Sequence, residues 1–248
     1  VTTPSAALVV VGSEVLSAKI TDENGPWLAR RLRELGVRLA SVSVIPDALD
    51  EIAATVARER PRVTWLFTSG GVGPTHDDVT VPGVARALGR RVTRQAAFAD
   101  ALRALHRAHH AGEEPPEAAL RMADLPEGTR LLGDPSFPTL AVENVVMLPG
   151  VPRFFRWQFD RIAHLLAAPP FRLACVYVTL GEEQFAPGLD AVARAHPDVE
   201  IGSYPRFDEA DHRVKLTLES KDAGKVEAAL RAVLEILPAA AIVRTEGP

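Results

Sequence analysis

Two hydrophobic periods alternate along the chain. Leu8-Val9-Val10-Val11 is a short unbroken apolar run closed by Gly12, the pattern of a strand buried on both faces of a parallel sheet. Trp27 to Leu35 then puts apolar residues at helical spacing, with Gly36 where a helix C-cap glycine belongs, and Val37 to Ile45 reads as the next strand. A second helical pattern runs from Leu49 to about Ala57, followed by a strand from Val63 to Phe67. Farther on, 96–110 reads as a helix, Glu113-Glu114-Pro115-Pro116 breaks it, and 117–123 reads as a short helix. Val145 to Leu148 is another buried strand, and a helix is predicted from about Arg153 to Leu166. Strands that alternate with helices predict βαβ units and a three-layer α/β domain around a mainly parallel sheet.

The pattern changes at Ala167-Ala168-Pro169-Pro170, where adjacent prolines favour an extended linker. Residues 1–168 and 171–248 are expected to form separate domains. The second reads as strand 174–180, helix 183–195, strand 199–204, alternating strand 213–219, helix 223–237 and strand 241–244. That is the βαββαβ order of a small ferredoxin-like α+β domain.

Composition narrows the picture. With 248 residues, 47% of them hydrophobic, the chain can fill one large core and one small one. A net charge of −4 offers no basic face of the kind that neutralises phosphates, so no nucleic-acid partner is expected. No apolar stretch reaches the roughly 18 to 20 residues that span a bilayer. The run Ala6 to Val11 has neither a basic leader nor a cleavage pattern, so a cytoplasmic protein with no membrane partner is expected. Cys175, the one cysteine, excludes a disulfide framework and reads as a core residue.

In open parallel sheets, ligands sit outside the carboxyl ends of the strands. The segments to inspect are therefore the loops starting at Gly12, Pro46, Thr68 and Pro149. The third carries Thr68-Ser69-Gly70-Gly71-Val72-Gly73-Pro74-Thr75-His76-Asp77-Asp78-Val79-Thr80. Gly70, Gly71 and Gly73 let backbone N–H groups approach an anion, and the hydroxyls of Ser69, Thr75 and Thr80 add donors. No Lys follows the glycines and the G-x-G-x-x-G spacing is absent, so the loop is neither a P-loop nor a dinucleotide fingerprint. Asp77 and Asp78 would repel a phosphate unless a hard cation such as Mg²⁺ sits between them. The same residues would also make a plain glycine-rich turn with an Asp capping the next helix. His76 is a candidate phosphate contact or a solvent-facing loop residue. His106, His109 and His110 have a helical spacing compatible with zinc but lack further ligands in sequence. Trp27, Trp65 and Trp157 are expected in the core.

The run Ser69 to Thr80 resembles the signature loop of the molybdopterin-binding fold, in the form used by the competence/damage-inducible protein A family. The likeness continues through Val11-Gly12-Ser13-Glu14-Val15-Leu16, Ile20-Thr21-Asp22-Glu23-Asn24, Val44-Ile45-Pro46-Asp47, Leu148-Pro149-Gly150-Val151-Pro152 and Ile201-Gly202-Ser203-Tyr204-Pro205. It implies a domain that binds molybdopterin or an adenine nucleotide, and a homo-oligomer. The implied activity is metal-dependent hydrolysis of a nucleotide diphosphate of the ADP-ribose or FAD type. The alternative is pterin or nucleotide binding without catalysis, or adenylyl transfer to molybdopterin. On this reading Gly12, Glu14 and Asn24 are ligand-site candidates, and Asp77 and Asp78 hold the metal. Asp47 joins them as a catalytic candidate, and Pro149, Gly150 and Pro152 form the opposite wall. Glu14 and Asp47 are equally candidates for helix or turn caps. The segment Gly133 to Thr139 departs from the family's Gly-Thr-Ala-Pro-Gly pattern, so substrate identity does not follow from the resemblance.

Overall fold

A computed structural model describes residues 3–206, 209 and 211–247. It separates into two compact units, Val1–Ala168 and Pro169–Pro248.

The first unit begins with β1 (Ser5–Val11), α1 (Ser13–Leu16), α2 (Asn24–Glu34), β2 (Arg38–Ile45), α3 (Leu49–Glu59), β3 (Trp65–Ser69) and α4 (Thr80–Ala87). It continues with β4 (Val92–Arg94), α5 (Ala96–His109), α6 (Glu117–Leu120), β5 (Asp124–Pro126), β6 (Arg130–Leu132), β7 (Thr139–Val142), β8 (Val145–Leu148) and α7 (Pro152–Ile162). The main sheet has the order β2-β1-β3-β8-β7-β6, parallel from β2 to β8 and antiparallel beyond it. The inner strands β1, β3, β7 and β8 are mostly apolar because both faces are covered, whereas the edge strand β2 leaves Val42 and Val44 exposed. Ala7, Val9 and Val11 point into one core with α3, α4 and α5, while Ala6, Leu8 and Val10 point into the other with α2 and α7. In that second core Trp27 meets Phe155 and Phe159 edge-on, with ring centroids 6.0 and 5.4 Å apart.

Register aligns the strand ends. Val11 pairs with Ile45, Val10 with Ser69, and Ser69 with Leu148. Four loops therefore leave the sheet at one edge.

The second unit comprises β9 (Arg172–Val178), α8 (Ala186–Ala195), β10 (Glu200–Pro205), β11 (Val214–Ser220), α9 (Ala223–Ile236) and β12 (Ile242–Glu246). Its antiparallel order β10-β11-β9-β12 is that of a ferredoxin-like sheet. Ala174, Val176 and Val178 of β9 face the helices in its core, and Cys175 is buried, as its sequence context predicts.

Several local expectations shift. The predicted strand at 63–67 begins at Trp65 and runs through Ser69, so the glycine loop starts two residues later than expected, at Gly70. Ser13–Leu16 is helical where a loop was expected. The sheet gains β7 and β6, a hairpin that no periodicity revealed. Residues 117–123 and 183–195 each divide into a helix and a single tighter turn.

Candidate functional site

The four loops enclose a cleft of about 700 Å³. Of the residues singled out from sequence, Glu14, Asn24, Asp47, Ser69, Gly70, Gly71, Gly73, Asp77, Asp78, Pro149, Gly150 and Pro152 line it. Gly12, Thr75 and Thr80 do not. Gly12 extends the sheet, its N–H donating to Ile45 O at 3.0 Å.

The glycine loop is fixed from below. Gly70 and Gly71 have φ of 100° and 68°, a region that disfavours any Cβ. A Cβ on Gly70 would lie 2.3 Å from Val11 O, and one on Gly71 would lie 2.3 Å from Thr80 Oγ1. Thr80 is fully buried, and its hydroxyl donates to Gly70 O at 2.8 Å while its N–H donates to Gly71 O at 3.0 Å. Its hydroxyl is thus a strut of the turn and is unavailable to an anion. Beyond Gly70, the N–H groups of Gly71, Val72 and Gly73 have no acceptor among the described residues, so they remain available as donors at the cleft.

The acids divide by what they already hold. Asp78 Oδ2 accepts from Thr75 N at 2.8 Å and from Thr75 Oγ1 at 2.5 Å, which closes the loop on itself. The same hydroxyl, followed by its own backbone N–H, holds the Asp77 carboxyl below the usual carboxylate range, so Asp77 is ionised at neutral pH. Neither acid caps the following helix, whose N-cap position is Val79 and has no side-chain bond. Asp47 Oδ2 accepts from Ser13 N at 2.7 Å, and Asp22 accepts from Asn24 N and Gly25 N, so these two carboxylates close the starts of α1 and α2. Glu23 pairs with Arg156 at 2.9 Å. With Glu14, six carboxylates among the described residues border the cleft, and no Lys, Arg or His among them does.

Asn24 does more than begin α2. It is 3% exposed, and its Nδ2 donates to Ser69 Oγ and to Gly150 O, each at 2.8 Å. A carbonyl only accepts, so the contact with Gly150 fixes which end of the amide carries nitrogen. Asn24 Oδ1 is then a buried acceptor with no partner, on a residue that lines the cleft. Sequence reading missed Phe137 and Phe154, which also line it. Phe154 follows the helical period of α7 and so looks like core, whereas it is 40% exposed.

Other candidates lie elsewhere. The His76 side chain is 98% exposed, 3.9 Å from Asp77 Oδ1. His106 and His110 stack on each other at 4.1 Å, and His109 Nδ1 contacts Leu105 O. Among the described residues no three His, Cys, Asp or Glu side chains converge in a way that could hold a metal ion. Among the described residues no helix is long and apolar enough to cross a membrane.

Comparison with known proteins bears on both units. The family described as a probable molybdopterin binding domain matches residues 7–168, and the middle domain of FAD synthase matches residues 170–246. A probable FAD synthase of Caenorhabditis elegans is 34% identical, across 94% of this chain and 50% of that protein. The chain thus spans half of that relative's length. A protein of Archaeoglobus fulgidus is 31% identical across 93% of this chain and 96% of its own. The crystal structure of the protein CinA, of unknown function, from Thermoplasma acidophilum superposes with a TM-score of 0.59 at 28% identity, covering 66% of this chain and 98% of that one.

Proposed function

The chain belongs to the CinA-like molybdopterin-binding superfamily, and from that premise we propose that its first unit binds, and transfers or processes, a phosphate-bearing nucleotide or pterin in the cleft. The observation that carries this reading is Asn24 Oδ1. A buried acceptor without a donor is costly, on the order of 1–3 kcal/mol, and a ligand hydroxyl or N–H would satisfy it. The unpaired N–H groups from Gly71 to Gly73 supply the complementary donors for a phosphate. A nucleotide or a phosphorylated pterin offers both kinds of group. The name of the C. elegans relative points to the flavin-adenine class among nucleotides.

Charge decides what must accompany the ligand. Six carboxylates and no cationic side chain would repel a bare diphosphate. The acids do not form a resident metal cage, since Asp78 commits one oxygen to Thr75 and, among the described residues, no third group converges on them. They fit a divalent cation that arrives on the diphosphate, with Asp77 and the remaining oxygen of Asp78 as its protein partners. Such a cation would offset the charge of the phosphates. Isothermal titration of FAD and ADP-ribose tests this. We expect saturable binding with Mg²⁺, weakened when the metal is removed with EDTA, and weakened about three- to tenfold by Asn24→Ala. Absence of binding for both ligands with Mg²⁺ present overturns the reading.

A second reading, hydrolysis of the bound diphosphate, draws on the same ionised Asp77. It predicts turnover of ADP-ribose or FAD that Asp77→Asn abolishes even at ligand concentrations that saturate the variant. Binding without turnover leaves the domain a holder or transfer site, and pyrophosphate release from ATP only with molybdopterin present would mark adenylyl transfer. A homo-oligomer is the expected assembly, to be read from light scattering on a sizing column.

A further inference from the structure

Beside the cleft lies a second hollow of about 420 Å³, lined by Leu105, Ser136, Phe137, Arg153, Phe154 and Trp157. Phe137 and Phe154 border both spaces, so the hollow continues the cleft. Trp157, expected in the core from its helical position, is half-buried on this wall. Phe137 contacts Phe154 with ring centroids 5.8 Å apart at 64°, and contacts Trp157 at 6.1 Å and 48°. Neither contact is a face-to-face stack, so the rings do not cover one another's faces.

The corner is held in place. Asp134 Oδ1 accepts from Ser136 N at 2.9 Å and from Ser136 Oγ at 2.6 Å, and Phe137 N donates to Asp134 O at 3.2 Å. Asp134 also lies 3.7 Å from Arg161, whose guanidinium sits 3.4 Å from the Trp157 ring centroid. A second guanidinium, Arg153, lies 5.2 Å from the Phe154 ring centroid. This tight turn is the segment Gly133 to Thr139 that departs from the family pattern, and it sets Phe137 at the junction of the two spaces. Phe154, 40% exposed at the cleft mouth, sheds apolar hydration when a ligand ring covers it.

Resting on the cleft reading above, we propose that Phe137, Phe154 and Trp157 form the seat for a fused-ring heterocycle carried by the same ligand whose diphosphate meets the glycine loop. The seat recognises a π-face. An adenine and an isoalloxazine share that chemistry, and inorganic pyrophosphate lacks it.

The test titrates the full chain and its Phe137→Ala, Phe154→Ala and Phe154→Leu variants with FAD, ADP and inorganic pyrophosphate, all with Mg²⁺. Flavin fluorescence follows FAD, and heat follows the others. We expect Phe154→Ala to weaken FAD by about ten- to hundredfold, as loss of a base–aromatic stack does, with pyrophosphate affinity unchanged and Phe154→Leu intermediate. Weakening of FAD alone assigns the seat to isoalloxazine, and weakening of FAD and ADP together assigns it to adenine. Wild-type binding that neither alanine variant alters overturns the seat and leaves the cleft reading standing. No binding of any of the three ligands to wild type overturns both. Phe154 is largely outside the core, so its variants stay informative if circular dichroism shows that Phe137→Ala misfolds.

Discussion

Single residues carry different burdens under one letter. Gly70 and Gly89 both have positive φ, 100° and 61°. A Cβ on Gly89 would meet nothing within 4 Å, while one on Gly70 would strike the backbone oxygen of Val11 at 2.3 Å. Gly89→Ala therefore adds only the left-handed penalty, about 1–2 kcal/mol. Gly70→Ala adds a backbone clash that no side-chain rotation relieves, for a loss on the order of 3 kcal/mol or more. Urea unfolding of the two variants checks this, and equal midpoints would show that the loop yields. The glycine cluster was legible in sequence, but the separate reason for each glycine was not. Gly73 needs no positive φ, and a Cβ there would lie 2.6 Å from Asp78 Oδ2. Thr75 and Thr80 looked like ligand donors because a hydroxyl's partner does not show in the sequence, and here Asp78 and Gly70 O take them. Asn24 was equally opaque, since its two partners lie 45 and 126 residues away.

At the level of elements, strands buried on both faces were readable because unbroken apolar runs mark them. The hairpin of β6 and β7 was not, since strands of three and four residues are too short to display a period. The last strand, β12, illustrates a different kind of hold. Glu246 accepts from Tyr177 OH at 2.9 Å and from Arg244 Nε at 3.2 Å, and Arg244 lies over the Tyr177 ring at 3.7 Å while also bonding Asp211. The Tyr177 hydroxyl first, then Arg244, depresses the Glu246 carboxyl, and His212 and then Arg244 do the same for Asp211. A depressed carboxylate stabilises the fold above its unfolded pKa, near 4 for both residue types, and that contribution is lost as pH falls through the folded value. Both groups are solvent-exposed, so the effect is local. Amide exchange across Ile242–Glu246, corrected for intrinsic rates, should accelerate below about pH 4. Glu246→Gln should flatten that dependence, and an unchanged profile would mean that backbone pairing with β9 alone holds the strand.

For the whole molecule, each of the two units carries its own hydrophobic period and closes its own core. The first unit has two clusters, one on each face of its sheet, and the second has a single cluster between its sheet and helices. Every residue lining the cleft, from Val10 to Phe154, precedes Ala168, as do the aromatic corner and both of its arginines. If a core is what lets a chain fold alone, a fragment ending at Ala168 should unfold cooperatively in a thermal melt. It should bind FAD with Mg²⁺ within about threefold of the full chain, a difference below roughly 1 kcal/mol. A well-folded fragment with affinity lost tenfold or more would show that residues after Ala168 act on the ligand, and the second unit would then need a role in recognition. A fragment that fails to melt cooperatively would show instead that the two faces of the first sheet are insufficient for stability without the remainder of the chain. The outcomes separate because folding and affinity are read independently, and only the affinity of a folded fragment bears on whether the cleft as described is the whole site.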